Sequence, residues 1–294
     1  MDTPQRTVVL ASVLVLTAEL CFAGVSAIVK HLSTDVPSEQ LVFFRNLMAF
    51  IVLLPWLWRK GPDAFKTKAW RFHLTRGIAG LAAMYLFFYA IANLPLAQAT
   101  LVLLLSPFII PVIGRVWLAE RVLPQTWLAI ATGFIGVFIF LNPLGTALSP
   151  VVLVAFVAAF FAAFTKTLIR QMSATESSSK IVFYFSALST LLSGIPLLWL
   201  GQSIALDHLF AIVAMGLLAV AGQLGMTKAF ALAPAARVGV FTYSSVIFAA
   251  LMGYIFWDEA ITWYMLLGAS IITLAGYLAI RTRRKAESTG KVGS

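Results

Sequence analysis

The sequence predicts an all-α membrane protein of ten transmembrane helices, arranged as two inverted five-helix repeats around a central cavity. The prediction depends on the apolar composition, the recurrence of apolar stretches long enough to cross a bilayer, and a match between the two halves of the chain. Of the 294 residues, 61% are hydrophobic and 11% are charged, whereas soluble domains have about 45–50% apolar and about 25% charged residues. A water-soluble surface cannot be built from this composition.

Apolar stretches of about 20 residues, the length that a helix needs to cross about 30 Å of hydrocarbon, recur along most of the chain. Proline and glycine separate many of them, as at Asn93-Leu94-Pro95, because proline cannot continue the preceding helix. The predicted spans are Val8 to Val29, Leu41 to Trp58, His73 to Asn93, Leu96 to Leu118, Thr126 to Leu141, Ser149 to Ile169, Ile181 to Trp199, His208 to Phe230, Ala235 to Trp257 and Ile261 to Ile280. They leave no room for a soluble domain.

The first span is predicted to be retained rather than cleaved as a signal peptide, because it is long and carries Glu19 at its centre. The single cysteine, Cys21, lies within it, so no disulfide framework and no cysteine-based metal site are expected. The net charge of +10 does not indicate a nucleic-acid partner, because the basic residues lie between spans and not on one polar face. The predicted partner is the lipid bilayer.

Lysine and arginine are distributed unequally between the two sets of span ends. One set carries fifteen of them, and the opposite set carries only Lys30. Because short cytoplasmic loops are enriched in these residues, both termini are predicted to be cytoplasmic and the protein to lie in a bacterial inner membrane. Seven of the eight tryptophans fall at predicted span ends, where amphipathic rings prefer the membrane interface.

The two halves of the chain match when one is shifted by 139 residues. From Ala90 to Glu120, seven of thirty-one positions are identical to their counterparts, including Pro95 with Pro234, Ser106 with Ser245, and Glu120 with Glu259. Residues 1–142 are therefore predicted to form the first repeat, and residues 143–294 the second repeat with a short basic tail. Because five is an odd number of spans, the second repeat must be inverted, an arrangement common in secondary transporters.

The motifs Phe43-Phe44-Arg45-Asn46, the paired Ala-x-x-x-x-Pro-x-Ala hairpins at 90–97 and 229–236, and the glutamates Glu120 and Glu259 resemble the EamA-type, ten-helix drug/metabolite transporters. Within that superfamily the chain is similar to the aromatic amino-acid exporter branch. The family pattern usually has glycine before each glutamate, where this chain has Ala119 and Asp258. The resemblance implies a secondary carrier that exports small metabolites, with amino acids as the expected substrate.

Paired polar residues in the span interiors are the first candidates for a substrate site. Ser106 and Ser245 lie near the middle of spans four and nine, and Tyr243 and Ser244 add polar groups beside the second. Substrate sites of repeat transporters lie near the midplane. Hydrogen bonding between helices uses the same residue types, so both interpretations stay open.

Two further pairs each share one helix face at a spacing of four residues. Tyr85 and Tyr89 belong to span three, and Gln223 and Thr227 belong to span eight; such faces suit an amphipathic cavity, although helix packing explains them nearly as well. Glu19 is the single acid deep inside a span. It is predicted to act in proton coupling or in binding a substrate amine, or else to make a structural polar contact.

Other charged residues in or near the spans are predicted to be structural. Lys166 and Lys228 lie near span ends, where a long side chain can reach the interface. Arg45 and Arg76 lie within or just inside apolar spans, and Arg45, near the external end, is a structural anchor or a carboxylate contact. Glu120 and Glu259 are taken as fold signatures at span ends.

Motifs of ATP-driven transport, zinc proteases and serine hydrolases do not occur, and the three histidines are far apart. An enzyme and a cofactor are therefore not predicted. A multidrug or nucleotide-sugar carrier of the same fold, a membrane-embedded enzyme acting on lipid, and a passive channel remain alternatives. The expected partner is a small-molecule substrate, and weak homodimer formation is left open.

Overall fold

The computed structural model describes residues 3–61, 66–117, 124–141, 149–172, 175–201, 204–232 and 239–288. Within these ranges the chain is helical and contains no strand. The α-helices are α1 (Thr3–Leu32), α2 (Ser38–Lys60), α3 (Trp70–Asn93), α4 (Leu96–Leu103), α5 (Ser106–Trp117), α6 (Pro124–Leu141), α7 (Pro150–Met172), α8 (Ser178–Leu200), α9 (Leu206–Leu232), α10 (Ser244–Trp257) and α11 (Trp263–Ser288). The predicted all-α class is confirmed.

Seven helical stretches in the described part of the chain are long and apolar enough to cross a membrane. They are Val9–Leu32, Ser38–Arg59, Trp70–Asn93, Leu96–Trp117, Pro150–Ile169, Ser179–Leu200 and Leu206–Met226. Three shorter apolar helices, Ile130–Leu141, Phe241–Trp257 and Trp263–Leu278, coincide with the predicted spans five, nine and ten. The number of ten crossings stays a prediction.

Span four is not one continuous helix, contrary to the sequence prediction. The backbone N–H of Leu105 bonds to the carbonyl of Val102, so the chain tightens to an i→i+3 turn between α4 and α5. Pro107 has no N–H to continue the α-helical ladder, which explains why the break occurs here. Ser106 is consequently the first residue of a new helix.

Span nine has a related irregularity at the corresponding position. It contains a 3-10 helix, Gly239–Tyr243, that directly precedes α10. The Ser244 and Ser245 hydroxyls donate to the carbonyls of Phe241 and Thr242, at 2.7 and 2.9 Å. Serine hydroxyls that bond to the preceding turn weaken a regular helix. Both spans thus change their helix geometry immediately before the paired serines.

The helices of the two halves pack in matching combinations. Helix α1 packs on α9, and its counterpart α7 packs on α3. Helix α1 also packs on α10, and α7 packs on α4 and α5. Helix α2 packs on α9, and its counterpart α8 packs on α3. Three further contacts join corresponding helices directly: α2 with α8, α4 with α10, and α6 with α11. When each helix is replaced by its counterpart in the other half, this set of contacts reproduces itself.

Helices α6 and α11 bring the backbones of the two halves close together. A Cβ atom placed on Gly268 would lie 2.6 Å from the carbonyl oxygen of Gly136 and 2.7 Å from the backbone nitrogen of Phe140. Backbone therefore meets backbone directly, as small residues allow in membrane helix pairs. On the outside of the bundle, large apolar side chains such as Phe210, 85% exposed, and Leu153, 68% exposed, form a surface suited to lipid.

Candidate functional site

A group of polar residues forms where the broken span four meets α7 and α1. Ser106 is fully buried, and its hydroxyl accepts a 2.7 Å hydrogen bond from Lys166 Nζ on α7. Lys166 also interacts electrostatically with Glu19 on α1. Glu19 is only 8% exposed. We call these three residues the polar layer, and each comes from a different helix.

The polar layer lies deep in the bundle. Glu19 precedes the end of α1 at Leu32 by 13 residues, or about 20 Å along the helix. Lys166 is exposed, whereas Glu19 and Ser106 are buried. Charged side chains at such a depth face a partner or water, and the Ser106 hydroxyl is the partner of the Lys166 amine.

The prediction that Lys166 reaches toward the membrane interface is wrong. The side chain turns inward because the break in span four presents the Ser106 hydroxyl to it. One sequence signal could have identified Lys166: it lies inside the apolar stretch Pro150–Ile169, with its amine far from the helix start, and charges within such stretches are functional by default. Lys228, the other lysine placed near a span end, is exposed.

Among the described residues, no hydrogen bond links the hydroxyls of Tyr243, Ser244 or Ser245 in span nine to the polar layer. Ser244 and Ser245 donate to backbone carbonyls of their own 3-10 turn. Tyr243 is 7% exposed, and its hydroxyl occupies the space beside Gly276, where an added Cβ would lie against it. Ser244 and Ser245 thus bond within their own span and not between helices, while Tyr243 packs against α11; contact of the three residues with substrate stays a prediction.

The tyrosines of α3 differ in exposure. The Tyr85 hydroxyl is buried with no hydrogen-bond partner among the described residues, and it interacts electrostatically with Glu39, in the first turn of α2. Tyr89 is 48% exposed. Substrate contact by this pair stays a prediction.

The candidates of span eight lie partly within the described structure. Gln223 lines a small cavity of about 10 Å³ between α2, α8 and α9, together with Arg45. The side chain of Thr227 lies outside the described residues. A glutamine and an arginine that share one cavity were not predicted to be neighbours.

At the end of the bundle that the sequence predicts to be external, Glu259 joins three helices. Its carboxylate forms an ion pair with Lys30 at the end of α1 and accepts bonds of 2.8 and 3.1 Å from the Leu96 N–H at the start of α4. Lys30 Nζ also donates to the carbonyl of Leu94 at 3.0 Å. Glu259 was predicted to be a fold signature, and these contacts give that role a physical basis; Glu120 lies outside the described residues.

At the opposite end, Glu176 connects the loop before α3 to the start of α8. Its carboxylate accepts a hydrogen bond from the Thr67 hydroxyl and forms a 3.1 Å ion pair with Lys180, whose Nζ also donates to the carbonyl of Lys66 at 2.8 Å. Burial alone raises the pKa of Glu176, but the hydrogen bonds from Thr67 and Lys180 and the charge of Lys180 outweigh burial. The pKa of this carboxyl is therefore below its ordinary value.

In the part of the chain that the structure describes, no three histidine, cysteine, aspartate or glutamate side chains are grouped to hold a metal ion. His73 stacks on Tyr184 with ring centroids 4.3 Å apart, whereas His208 faces Asp35 at 3.8 Å. These histidines belong to opposite ends of the bundle. The chemistry available in the interior is thus ionic and hydrogen-bonding.

Comparison with known proteins identifies related sequences over nearly the whole chain. A pseudopaline exporter of Pseudomonas aeruginosa is 30% identical over 274 residues, which cover 92% of this chain and 96% of that protein. A riboflavin transporter of Rhizobium johnstonii is 30% identical over 288 residues, covering 97% and 95%. An S-adenosylmethionine uptake transporter of Rickettsia felis is 28% identical over 263 residues, covering 88% of each.

The fold is also one that has been observed by crystallography. A crystal structure with 18% sequence identity superposes with a TM-score of 0.66 and covers 94% of this chain and 98% of its own. None of the three relatives above is named as an aromatic amino-acid exporter. They therefore do not support the predicted similarity to that branch. The sequence pattern of the EamA-like transporter family matches residues 9–142 and again residues 149–281. The chain is therefore a multi-pass membrane protein that belongs to the EamA-like transporter family.

Proposed function

We propose that this protein is a secondary transporter that exports small metabolites, with neutral and aromatic amino acids as its substrate class. The observation that carries the proposal is the polar layer, in which the Lys166 ammonium donates to the buried Ser106 hydroxyl and interacts electrostatically with the buried Glu19 carboxylate. Buried charges are costly in a membrane protein and mark pathways for solutes or ions. A small amphipathic solute is the ligand that such a site suits.

The proposed mechanism is alternating access between two inverted repeats, residues 1–142 and 143–294. The self-matching set of helix contacts and the double family match support this arrangement. In carriers of this design, discontinuous helices line a site near mid-membrane, and one repeat moves against the other. The irregular turns before Ser106 and Ser244 supply such discontinuities in corresponding spans.

Glu19 is proposed to bind the ammonium group of the solute. It interacts with Lys166, so an arriving ammonium or proton would compete with Lys166 for the same carboxylate. A carboxylate that takes either a proton or a solute ammonium, but not both, has the exclusivity that a proton-coupled exchanger needs. We place the protein in the bacterial inner membrane with both termini in the cytoplasm, as the lysine and arginine distribution indicates.

Lys166 favours one second candidate, a carrier of an anionic metabolite such as a nucleotide sugar. Its ammonium lies inside the bundle and not at the interface. The relatives are named for chemically different metabolites, so the family alone does not select between the two.

The test is uptake of labelled phenylalanine, threonine and methionine into proteoliposomes that contain the purified protein, with and without a pH gradient. We expect saturable uptake that unlabelled amino acids inhibit and nucleotide sugars do not. Glu19→Gln should abolish the response to the pH gradient, and Lys166→Met should reduce uptake strongly. Lys228→Met is the matched control, because Lys228 is a lysine of α9 that does not belong to the polar layer, and it should transport normally.

Two outcomes would contradict the proposal. Inhibition by nucleotide sugars but not by amino acids would select the second candidate. Equal uptake by Lys166→Met and Lys228→Met would remove the polar layer from the transport path.

A further inference from the structure

Two arginines lie inside the membrane-spanning helices. Arg45 is seven residues after the start of α2 at Ser38, and Arg76 is six residues after the start of α3 at Trp70. These distances correspond to about 10 Å and about 9 Å of helix. The Phe185 ring lies 4.2 Å from the Arg76 guanidinium and lines one cavity with Arg45, so the two like charges border the same aromatic side chain.

Their charges are poorly compensated by the protein. Arg76 is 3% exposed, and its buried Nε and Nη1 atoms have no hydrogen-bond partner among the residues that the structure describes. Its guanidinium carbon lies over the face of the Phe185 ring, 4.2 Å from the ring centroid. Arg45 Nη1 donates to Asn46 Oδ1 at 3.0 Å, and among the described residues neither arginine forms an ion pair with an acid.

Arginines held inside a bundle without a counter-charge lower the stability of the folded protein if they have only a structural role. Removing a guanidinium from water without a counter-charge costs several kcal/mol in a protein interior, and a second cation nearby adds repulsion. Buried hydrogen-bond donors without a partner are rare in native structures and call for an explanation. An anion placed between the two arginines would satisfy the donors and cancel the repulsion.

A cavity lies where such an anion would bind. It is lined by Arg45 on α2, Phe185 and Ser186 on α8, and Gln223 on α9. Because the Phe185 ring also lies under Arg76, the same aromatic side chain borders both guanidinium groups. The volume of about 10 Å³ holds one water-sized group, so a bound anion would place one oxygen in the cavity beside Arg45.

We propose that Arg45 and Arg76 form a binding site for the carboxylate group of the transported solute. The inference deepens the proposed transport function and rests on it only for the claim that the ligand is a solute in transit. Arginine is the side chain suited to this task, because its planar donors pair with both oxygens of a carboxylate. Gln223 lines the same cavity and would contribute a polar group beside the anion.

A purely structural role predicts a different result for stability. If Arg76 anchors the fold, Arg76→Gln should lower the melting temperature of the ligand-free protein. If Arg76 serves a ligand, the replacement removes an uncompensated buried charge, and the melting temperature should stay the same or rise. Arg45→Lys keeps the charge but loses the planar pair of donors, so its ligand response should be intermediate.

The experiment measures the melting temperature and the affinity of the purified full chain in detergent with benzoate, and with benzamide as the neutral analogue of the same shape. We expect benzoate, but not benzamide, to stabilise the wild type. Arg45→Gln and Arg76→Gln should weaken benzoate binding about tenfold or more, because each removes a charge-assisted hydrogen-bond pair. Arg115→Gln, at an exposed arginine of α5, is the matched control and should bind benzoate like the wild type.

Several results would overturn the carboxylate site: no benzoate response in the wild type, equal responses to benzoate and benzamide, or an unchanged response in both glutamine variants. Amino-acid uptake by the same variants separates this inference from the transport proposal. Arginine-dependent benzoate binding without amino-acid uptake would refute the transport proposal alone. Normal uptake with an unchanged KM in Arg76→Gln would refute the carboxylate site alone.

Discussion

The Lys30–Glu259 ion pair should stabilise the protein far more than a typical surface ion pair does. Both side chains are 14% exposed, and Glu259 also accepts from the Leu96 N–H, while Lys30 also donates to the Leu94 carbonyl. A hydrogen bond to a charged group contributes about 1.5–3 kcal/mol, against about 0.2–1 kcal/mol for an exposed ion pair. We therefore expect a coupling energy of about 1.5–3 kcal/mol between the two side chains.

The assay is a double-mutant cycle with Lys30→Met, Glu259→Gln and the double variant, measured by reversible unfolding in mixed micelles. Glutamine keeps an oxygen that can accept from Leu96, so the cycle isolates the charge interaction. The Trp257 ring lies 5.4 Å from Lys30 Nζ and is a nearby source of fluorescence.

A second contact between polar side chains at the same end of the bundle provides the control. His208 and Asp35 are 3.8 Å apart, and the Asp35 side chain is 61% exposed. Their coupling energy should be below about 0.5 kcal/mol. If the Lys30–Glu259 coupling is no larger than this control, our account of Glu259 as the residue that holds three helix ends together is wrong.

Three more predictions follow from particular contacts. Gly268→Ala should destabilise the protein by about 1–3 kcal/mol, because its Cβ would lie 2.6 Å from a backbone oxygen. Gly225→Ala should be nearly neutral, because the nearest contact of its Cβ would be at 3.6 Å. Melting temperatures compare the two variants, and equal losses of stability would contradict the close approach of α6 and α11. Because the pKa of Glu176 is lowered, its stabilisation should be complete above the ordinary value of 4.5 and lost as the pH falls through the lower pKa of the folded state. Glu176→Gln should thus be less stable than the wild type at pH 7, with the difference shrinking in acid, and a difference independent of pH would exclude this mechanism. Ser106→Leu should abolish uptake while membrane insertion persists, and Ser270→Leu, at an exposed serine of α11, should transport normally; uptake by Ser106→Leu would exclude the polar layer.

Much of the fold could be predicted from the sequence because membrane spans are encoded locally. Apolar length marks each span, and proline marks joins such as Asn93-Leu94-Pro95, where the structure has an extended Leu94 between α3 and α4. The break in span four was not predicted, although Pro107 signals it. A proline is compatible with a span when neighbouring groups satisfy the freed backbone, so its effect depends on tertiary context.

The polar layer could be predicted only in part. Glu19 and Ser106 were identified because each is a polar residue at the centre of an apolar span. Lys166 was assigned to the interface because its distance from the helix end permits a long side chain to point either way. Only the partner on another helix, 60 residues away in the chain, decides the direction. The contacts of Glu259 with α1 and α4 are likewise invisible in a single sequence.

The most direct test of the central claim is trans-stimulation in proteoliposomes. Vesicles with purified wild-type protein are loaded with unlabelled phenylalanine, and the initial uptake of labelled phenylalanine is compared with that of unloaded vesicles and of Lys166→Met vesicles. A carrier that exposes one site alternately to each side should take up label faster when loaded, and Lys166→Met should lose the effect. Uptake that does not saturate and does not respond to internal phenylalanine would contradict the account and indicate a channel.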